Sequence, residues 1–198
     1  MTQLEPECSD GSDINVAGIE DAVSNILRYI GEDPERDGLA DTPRRVAQLY
    51  TEIFSGLREN PADILVPLFE DDYYDPVLVS GIPFHSICEH HLLPFTGIVN
   101  VAYYPSGKIL GASKVTRLID SISRRPQIQE RLTSQIADII HNGLNSQSTL
   151  VYMSAEHMCM TIRGVEKKGS KIVTLAQRGN KDLGLDLKDL MRLQYSQY

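Results

Sequence analysis

Histidine and cysteine are scarce in this chain, and they are gathered. Among 198 residues there are five histidines and three cysteines. One stretch, His85-Ser86-Ile87-Cys88-Glu89-His90-His91, holds a thiol and three imidazoles, and His157-Met158-Cys159 answers it far downstream. Cys88 and His91 stand in Cys-x-x-His spacing, a common arrangement of zinc ligands on one turn. If residues 149–163 form a strand, His157 and Cys159 at i and i+2 look into the same space. With Cys159 the set is two thiolates and one imidazole, and three protein ligands leave a fourth position free, as in catalytic zinc. A fourth ligand from His85, His90 or His157 would instead close the site and make it structural, and spacing leaves both readings open. In an open site His90 and His157 are suited to general acid–base work beside a metal-bound water whose pKa falls to about 7. That combination points to hydrolytic attack on an electrophilic carbon. Either histidine taken alone reads more readily as a core residue or as one that supports a ligand.

A second set of residues could hold an anion. The chain has no Gly-x-x-x-x-Gly-Lys-Ser/Thr run, so a phosphate would need another cradle. Gly111-Ala112-Ser113-Lys114 opens a helix, whose free N–H groups and dipole favour negative charge. Lys114 and Arg117 in its first turn oppose that dipole, a poor arrangement unless an anion binds there. Arg163, four residues beyond Cys159, is a third candidate, and a solvated basic face is the competing reading. Gln129 and Glu130 follow Pro126 at the start of the next helix. An acid there stabilises the helix dipole, or pairs with the donor edge of a guanine.

The elements that must position these groups follow from periodicity. Hydrophobic residues make up 41% and charged residues 23% of the chain, enough apolar content for one domain with a helical appendage. A net charge of −8 argues against a nucleic-acid-coating protein. No apolar run reaches membrane-spanning length and no leader precedes the first helix, so a cytoplasmic protein without membrane contact is expected. Cys8 reads as an incidental free thiol in a reducing compartment. Cys88 and Cys159 could pair as a disulfide, but the histidines beside both favour a metal. Val16, Ile19, Val23, Ile26 and Leu27 predict a first helix over 15–30. Val46, Leu49, Tyr50 and Ile53 predict a second, with Thr42 as N-cap and Pro43 as first helical residue. Strands are expected over 77–84 and 94–104, with residues 88–91 in their connection. Ser113 caps a helix carrying Val115, Leu118, Ile119 and Ile122, which Pro126 ends. Leu132, Ile136, Ile139, Ile140 and Leu144 mark the next, and strands follow over 149–163 and 171–177. The expected division is a disordered tail over 1–12, a helical hairpin and connecting loop over 13–75, a main domain over 76–179, and a weakly helical tail over 180–198. The main domain reads β-β-α-α-β-β, an α+β fold with a four-stranded antiparallel sheet and two helices on one face. Its sheet edges must be covered or paired.

Taken together, the sequence resembles GTP cyclohydrolase I from about Thr42 to Gly179. The resemblance is carried by Ser86-Ile87-Cys88-Glu89-His90-His91, Gly111-Ala112-Ser113-Lys114, Arg125-Pro126-Gln127-Ile128-Gln129-Glu130-Arg131-Leu132-Thr133 and His157-Met158-Cys159-Met160-Thr161-Ile162-Arg163-Gly164. It implies a tunnelling (T-) fold, assembled as a homodecamer of two face-to-face pentamers with sites between subunits. It implies one zinc per subunit, held by Cys88, His91 and Cys159. The implied reaction is hydrolysis of GTP at guanine C8 with loss of formate, then ribose rearrangement and reclosure to 7,8-dihydroneopterin triphosphate, at the head of folate or pterin synthesis. By motif match, His90 and His157 move protons, Ser113 assists the sugar steps, and Glu130 with Gln129 anchors guanine. Lys114, Arg117, Arg163 and Arg45 are the implied triphosphate ligands, and His85 has no implied role. Ala112, where the family often has leucine, and the loose match over 175–179 are departures; beyond Gly179 little resemblance remains. The competing expectations are a paralogue serving a specialised pterin or deazapurine pathway and a non-catalytic zinc-stabilised scaffold.

Overall fold

The computed structural model describes residues 14–66 and 68–195; the expected tail over 1–12 lies outside them. Two helices lead, α1 (Val16–Tyr29) and α2 (Thr42–Ile53), followed by 3₁₀ turns at Ser55–Arg58 and Pro61–Leu65. Then come β1 (Phe69–Glu70), β2 (Val77–Cys88), β3 (Pro94–Tyr104), β4 (Lys108–Ile109), α3 (Ala112–Ser123), β5 (Pro126–Gln127) and α4 (Gln129–Leu144). The chain closes with β6 (Ser148–His157), the single turn α5 (Met158–Thr161), β7 (Ile172–Gly179) and α6 (Lys181–Tyr195).

The expected four antiparallel strands are β2, β3, β6 and β7, and the short β5 adds a fifth, parallel to β2, in the order β5-β2-β3-β6-β7. Helices α3 and α4 cover one face. Val115, Leu118, Ile119 and Ile122 of α3 and Leu132, Ile136, Ile140 and Leu144 of α4 are buried there against Phe84, Phe95, Val99, Val101, Val151 and Met153. The last segment is more than a weakly helical tail. It forms α6, whose Leu187 is buried on the opposite face against Ala102 and Leu150. The stretch before residue 76 is also tied to the main domain, because Leu65 joins the main core and β1 pairs with β4.

Two of the helix caps depart from the sequence reading, by one residue at α2 and by two at α3. Asn15 does cap α1, its Oδ1 accepting from Gly18 N at 2.8 Å. Thr42 is already helical, with Asp41 as the cap, and Pro43 falls at the second position, where its missing N–H still costs nothing. Likewise α3 starts at Ala112 with Gly111 as the cap, so the exposed Ser113 hydroxyl does not serve the helix end. The strand expected over 149–163 stops at His157, and Cys159 lies on a helical turn instead. The reason is loss of partners. Pairing to β7 ends at Ala155↔Ile172, pairing to β3 ends at Phe95↔His157, and the next residue of β3 is Pro94, which has no N–H to donate.

One irregularity in β2 sets the side-chain phase for the site. Val79 opposes Val101, but Ile82 opposes Val99, so β2 carries one extra residue, with Gly81 at φ +68° donating to Asn100 Oδ1 at 2.9 Å. Val77 and Val79 pack on the helix-covered face before this bulge, and Ile82, Phe84 and Cys88 do so after it. Without the extra residue every side chain beyond it would turn to the other face. A side chain at Gly81 meets no atom within 4 Å, so the strain is purely conformational. We expect Gly81→Ala to cost about 1–2 kcal/mol, lowering the thermal midpoint by about 2–8 °C; an unchanged midpoint would contradict the need for a left-handed residue here.

Candidate metal centre at the end of the sheet

The functional side chains collect where β2 and β6 run out. Cys88 is the last residue of β2, and the chain then closes tightly on itself: its carbonyl accepts from His91 N at 3.4 Å and Leu92 N at 2.9 Å. This turn brings residues i and i+3 together, and Leu92 takes a left-handed φ of +52° to complete it. Across the sheet, α5 turns Cys159 inward. The ligand atoms of Cys88, His91 and Cys159 all lie within 4.8 Å of one another, and Cys88 Sγ is 4.0 Å from His91 Nδ1. Ligand atoms around a tetrahedral zinc, with bonds of about 2.0–2.3 Å, stand roughly 3.3–3.8 Å apart. Small side-chain adjustments close that difference, so the donors fit a thiophilic cation in both chemistry and spacing.

The remaining histidines divide. His85 precedes Ser86 on β2 and points to the exposed face, apart from the cluster. His90 is exposed, with Nδ1 3.8 Å from Cys88 Sγ and Nε2 3.9 Å from Glu89 Oε1. His157 is buried at the end of β6, stacked on its cross-strand partner Phe95 with ring centroids 4.5 Å apart and planes 9° from parallel. Its Nε2 lies 2.8 Å from Gln129 Oε1. Burial pushes the His157 pKa below the ordinary imidazole value, with the nearby Glu130 charge opposing, so the ring is neutral at pH 7. Burial pushes the Cys159 thiol up, the neighbouring Cys88 adds to this, and Arg163 opposes it. A thiol that resists ionisation beside a second sulfur is the environment a cation relieves.

The start of α4 braces this end of the sheet. Glu89 N donates to Gln127 O at 3.0 Å, and the Glu89 carboxylate pairs with Arg131. Arg131 Nε donates to Gln127 Oε1 at 3.0 Å, and Gln127 Nε2 donates to Ile122 O at 3.2 Å. Sequence inspection missed this brace, as it missed Phe95 beneath His157. Nothing in their spacing marks them, because both depend on strand pairing. Gln129, expected beside Glu130 at a guanine, is buried with its amide engaged inside the protein, while Glu130 is exposed.

The expected anion ligands sit elsewhere. Lys114 donates through Nζ to Ile64 O at 3.3 Å. Arg117 is exposed and lines a cavity of about 380 Å³ with Glu59, Asp120 and Arg124. Arg45 pairs with Asp41 at 3.4 Å on exposed α2. Among the described residues, no hydrogen bond or ion pair joins Arg45, Ser113, Lys114 or Arg117 to the cysteine–histidine cluster. Arg163 is the exception among the cations, close enough to act on Cys159. A further apolar groove of about 460 Å³, between α2 and the β2–β3 turn, includes Tyr50, Ile53 and Leu92 and none of the three metal donors.

Comparison with known proteins decides the family. The family model described as GTP cyclohydrolase I matches residues 19–189. The chain belongs to the GTP cyclohydrolase I family. It is 53% identical over 167 residues to GTP cyclohydrolase 1 of Bacillus cytotoxicus, covering 84% of this chain and 88% of that one. It is 53% identical over 168 residues to that of Geobacillus kaustophilus, covering 84% and 89%. It is 50% identical over 164 residues to that of Dehalococcoides mccartyi strain BAV1, covering 82% and 87%. A solved structure, the archaeosine synthase QueF-Like in its apo form, aligns over 53% of this chain and 94% of its own, with TM-score 0.45 and 18% identity. The chain is thus an enzyme of the GTP cyclohydrolase I family, whose T-fold is the β-β-α-α-β-β core seen over 77–179. No helix among the described residues is long and apolar enough to cross a membrane.

If the three donors act together, Cys88→Ala and Cys159→Ala should each weaken binding of a thiophilic divalent cation beyond the roughly 10–100-fold typical of losing an outer partner. Metal content after equilibrium dialysis against zinc measures this, and full retention by either variant would remove that residue from the ligand set.

Proposed function

We propose that the chain is a zinc-dependent GTP cyclohydrolase that opens guanine at C8, releases formate, rearranges the ribose and recloses the ring to 7,8-dihydroneopterin triphosphate. The observation that carries this reading is the convergence of Cys88, His91 and Cys159 beside a buried, neutral His157. Zinc held there would supply Lewis acidity and an acidified water at neutral pH.

The chain's own residues have separable tasks. His157, fixed between Phe95 and Gln129, accepts and returns a proton at the purine without paying for reorganisation. His90, on the exposed side of the turn, exchanges protons with groups entering from solvent. Glu130 extends from the first turn of α4 with its carboxylate free to take the two N–H donors of a guanine edge. Ser113, not used as a helix cap, assists the sugar steps. Lys114, Arg117, Arg163 and Arg45 neutralise the triphosphate.

The separation of α3's Ser113, Lys114 and Arg117 from the metal cluster supports a site completed between subunits, as does α1, which has no buried residue in the single chain. We assign the working form to a homodecamer in the cytoplasm, one zinc per subunit, feeding folate or pterin synthesis. Incubating the zinc-loaded assembly with GTP should yield formate and, after oxidation, a fluorescent pterin; absence of both would overturn the reading. His157→Ala should lower kcat by about 10²–10⁴-fold in the same assay while zinc content is retained. Unchanged turnover would exclude His157 as the proton-transfer group and favour a structural role for the whole cluster.

A further inference from the structure

Gln129 sits at the first position of α4 and is 1% exposed. Both ends of its side-chain amide are committed. The Nε2 end lies 3.0 Å from Ile172 O, 3.4 Å from Met153 O and 3.0 Å from Thr174 Oγ1. Backbone carbonyls only accept, so this end must be the donor. The hydroxyls agree. Thr133 Oγ1 donates to the Gln129 carbonyl at 2.7 Å, a better acceptor than the Met153 thioether 3.1 Å away. Thr133 then accepts from Thr174 at 2.6 Å, and Thr174 keeps a lone pair for the Gln129 amide. The amide cannot be reversed without setting its oxygen against two carbonyl oxygens.

Its Oε1 is therefore a pure acceptor, 2.8 Å from His157 Nε2. Nε2 must carry the hydrogen, and in a neutral imidazole the lone pair is then on Nδ1. The Phe95 stack holds the ring plane, and a 180° flip within that plane would put a ring carbon where Nε2 meets Gln129 and lose the hydrogen bond. We infer that Gln129 is a positioning residue that holds His157 as the Nε2–H tautomer, makes Nδ1 the atom that exchanges protons with the substrate, and leaves guanine recognition to Glu130. The substrate part of this inference rests on the proposed activity; the tautomer does not.

The test uses the zinc-loaded assembly labelled with ¹⁵N-histidine, sedimented for solid-state NMR, with the His157 signals identified by their loss in His157→Asn. Wild type should show a protonated Nε2 and an unprotonated Nδ1. Gln129→Leu should lose that fixed preference and lower kcat about a hundredfold, with the KM for GTP within about twofold of wild type. A wild-type Nδ1–H tautomer overturns the inference. So does a Gln129→Leu protein whose KM rises while kcat holds, since that is the behaviour of a guanine contact. If the wild-type assembly makes no formate from GTP, the proposed activity fails, and the ¹⁵N pattern still decides whether Gln129 sets the tautomer.

Discussion

One extra residue in β2 decides which side chains can reach the metal centre. A strand alternates its side chains, so the residues of 77–79 and of 82–88 share a face only because the bulge at Gly81 shifts the phase between them. Cys88 is placed among the buried residues and His85 among the exposed ones by that shift. Phe95 and His157 follow in the same cross-strand row, since Ser86 opposes Phe95 and Phe95 opposes His157. The histidine, its aromatic support and the first thiol thus come from three adjacent strands on one face.

The donors cluster at the sheet end because strand pairing fails there. Once the neighbours of β6 stop, its backbone satisfies itself in a helical turn, and that turn moves Cys159 off the strand's alternation. The β2 chain does the same after Cys88. Ends built this way would be loose, and β5 with the first turn of α4 holds them. The half-exposed Glu89–Arg131 pair contributes about 1 kcal/mol or less by itself. The backbone bond from Glu89 to Gln127 and the buried Gln127 side chain add geometric restraint that does not depend on salt. The helix that carries Arg131 also supplies Gln129, so the segment 127–131 restrains the turn after Cys88 on one side and meets His157 on the other.

Within one chain the candidate metal donors already converge, whereas the cationic residues of α3 and α2 sit in their own surroundings, with Lys114 turned to the Ile64 carbonyl. Exposed apolar side chains such as Ile26, Ile30 and Leu49 on the leading helices, and Val173 and Leu175 on the edge strand β7, leave surface for neighbouring copies to cover.

By itself the sequence determined the element order and both amphipathic helices over the sheet, and it marked Cys88, His91 and Cys159, with a fourth position left open, as candidate donors. Each of these is written in local periodicity or in rare residue types at short spacing. It misplaced Cys159 on a strand, because the end of β6 depends on where Pro94 falls in the neighbouring strand. It put Thr42 one residue and Ser113 two residues out as caps, because the choice among neighbouring cap residues depends on tertiary entry angles. It read Gln129 with its neighbour Glu130, because adjacency in sequence hides that one faces the core and the other solvent. Only the tertiary structure decided that, since the partners of Gln129, namely His157, Ile172 and Thr174, lie 28 to 45 residues away. Hydrogen bonds across such separations leave no periodic trace in a single chain.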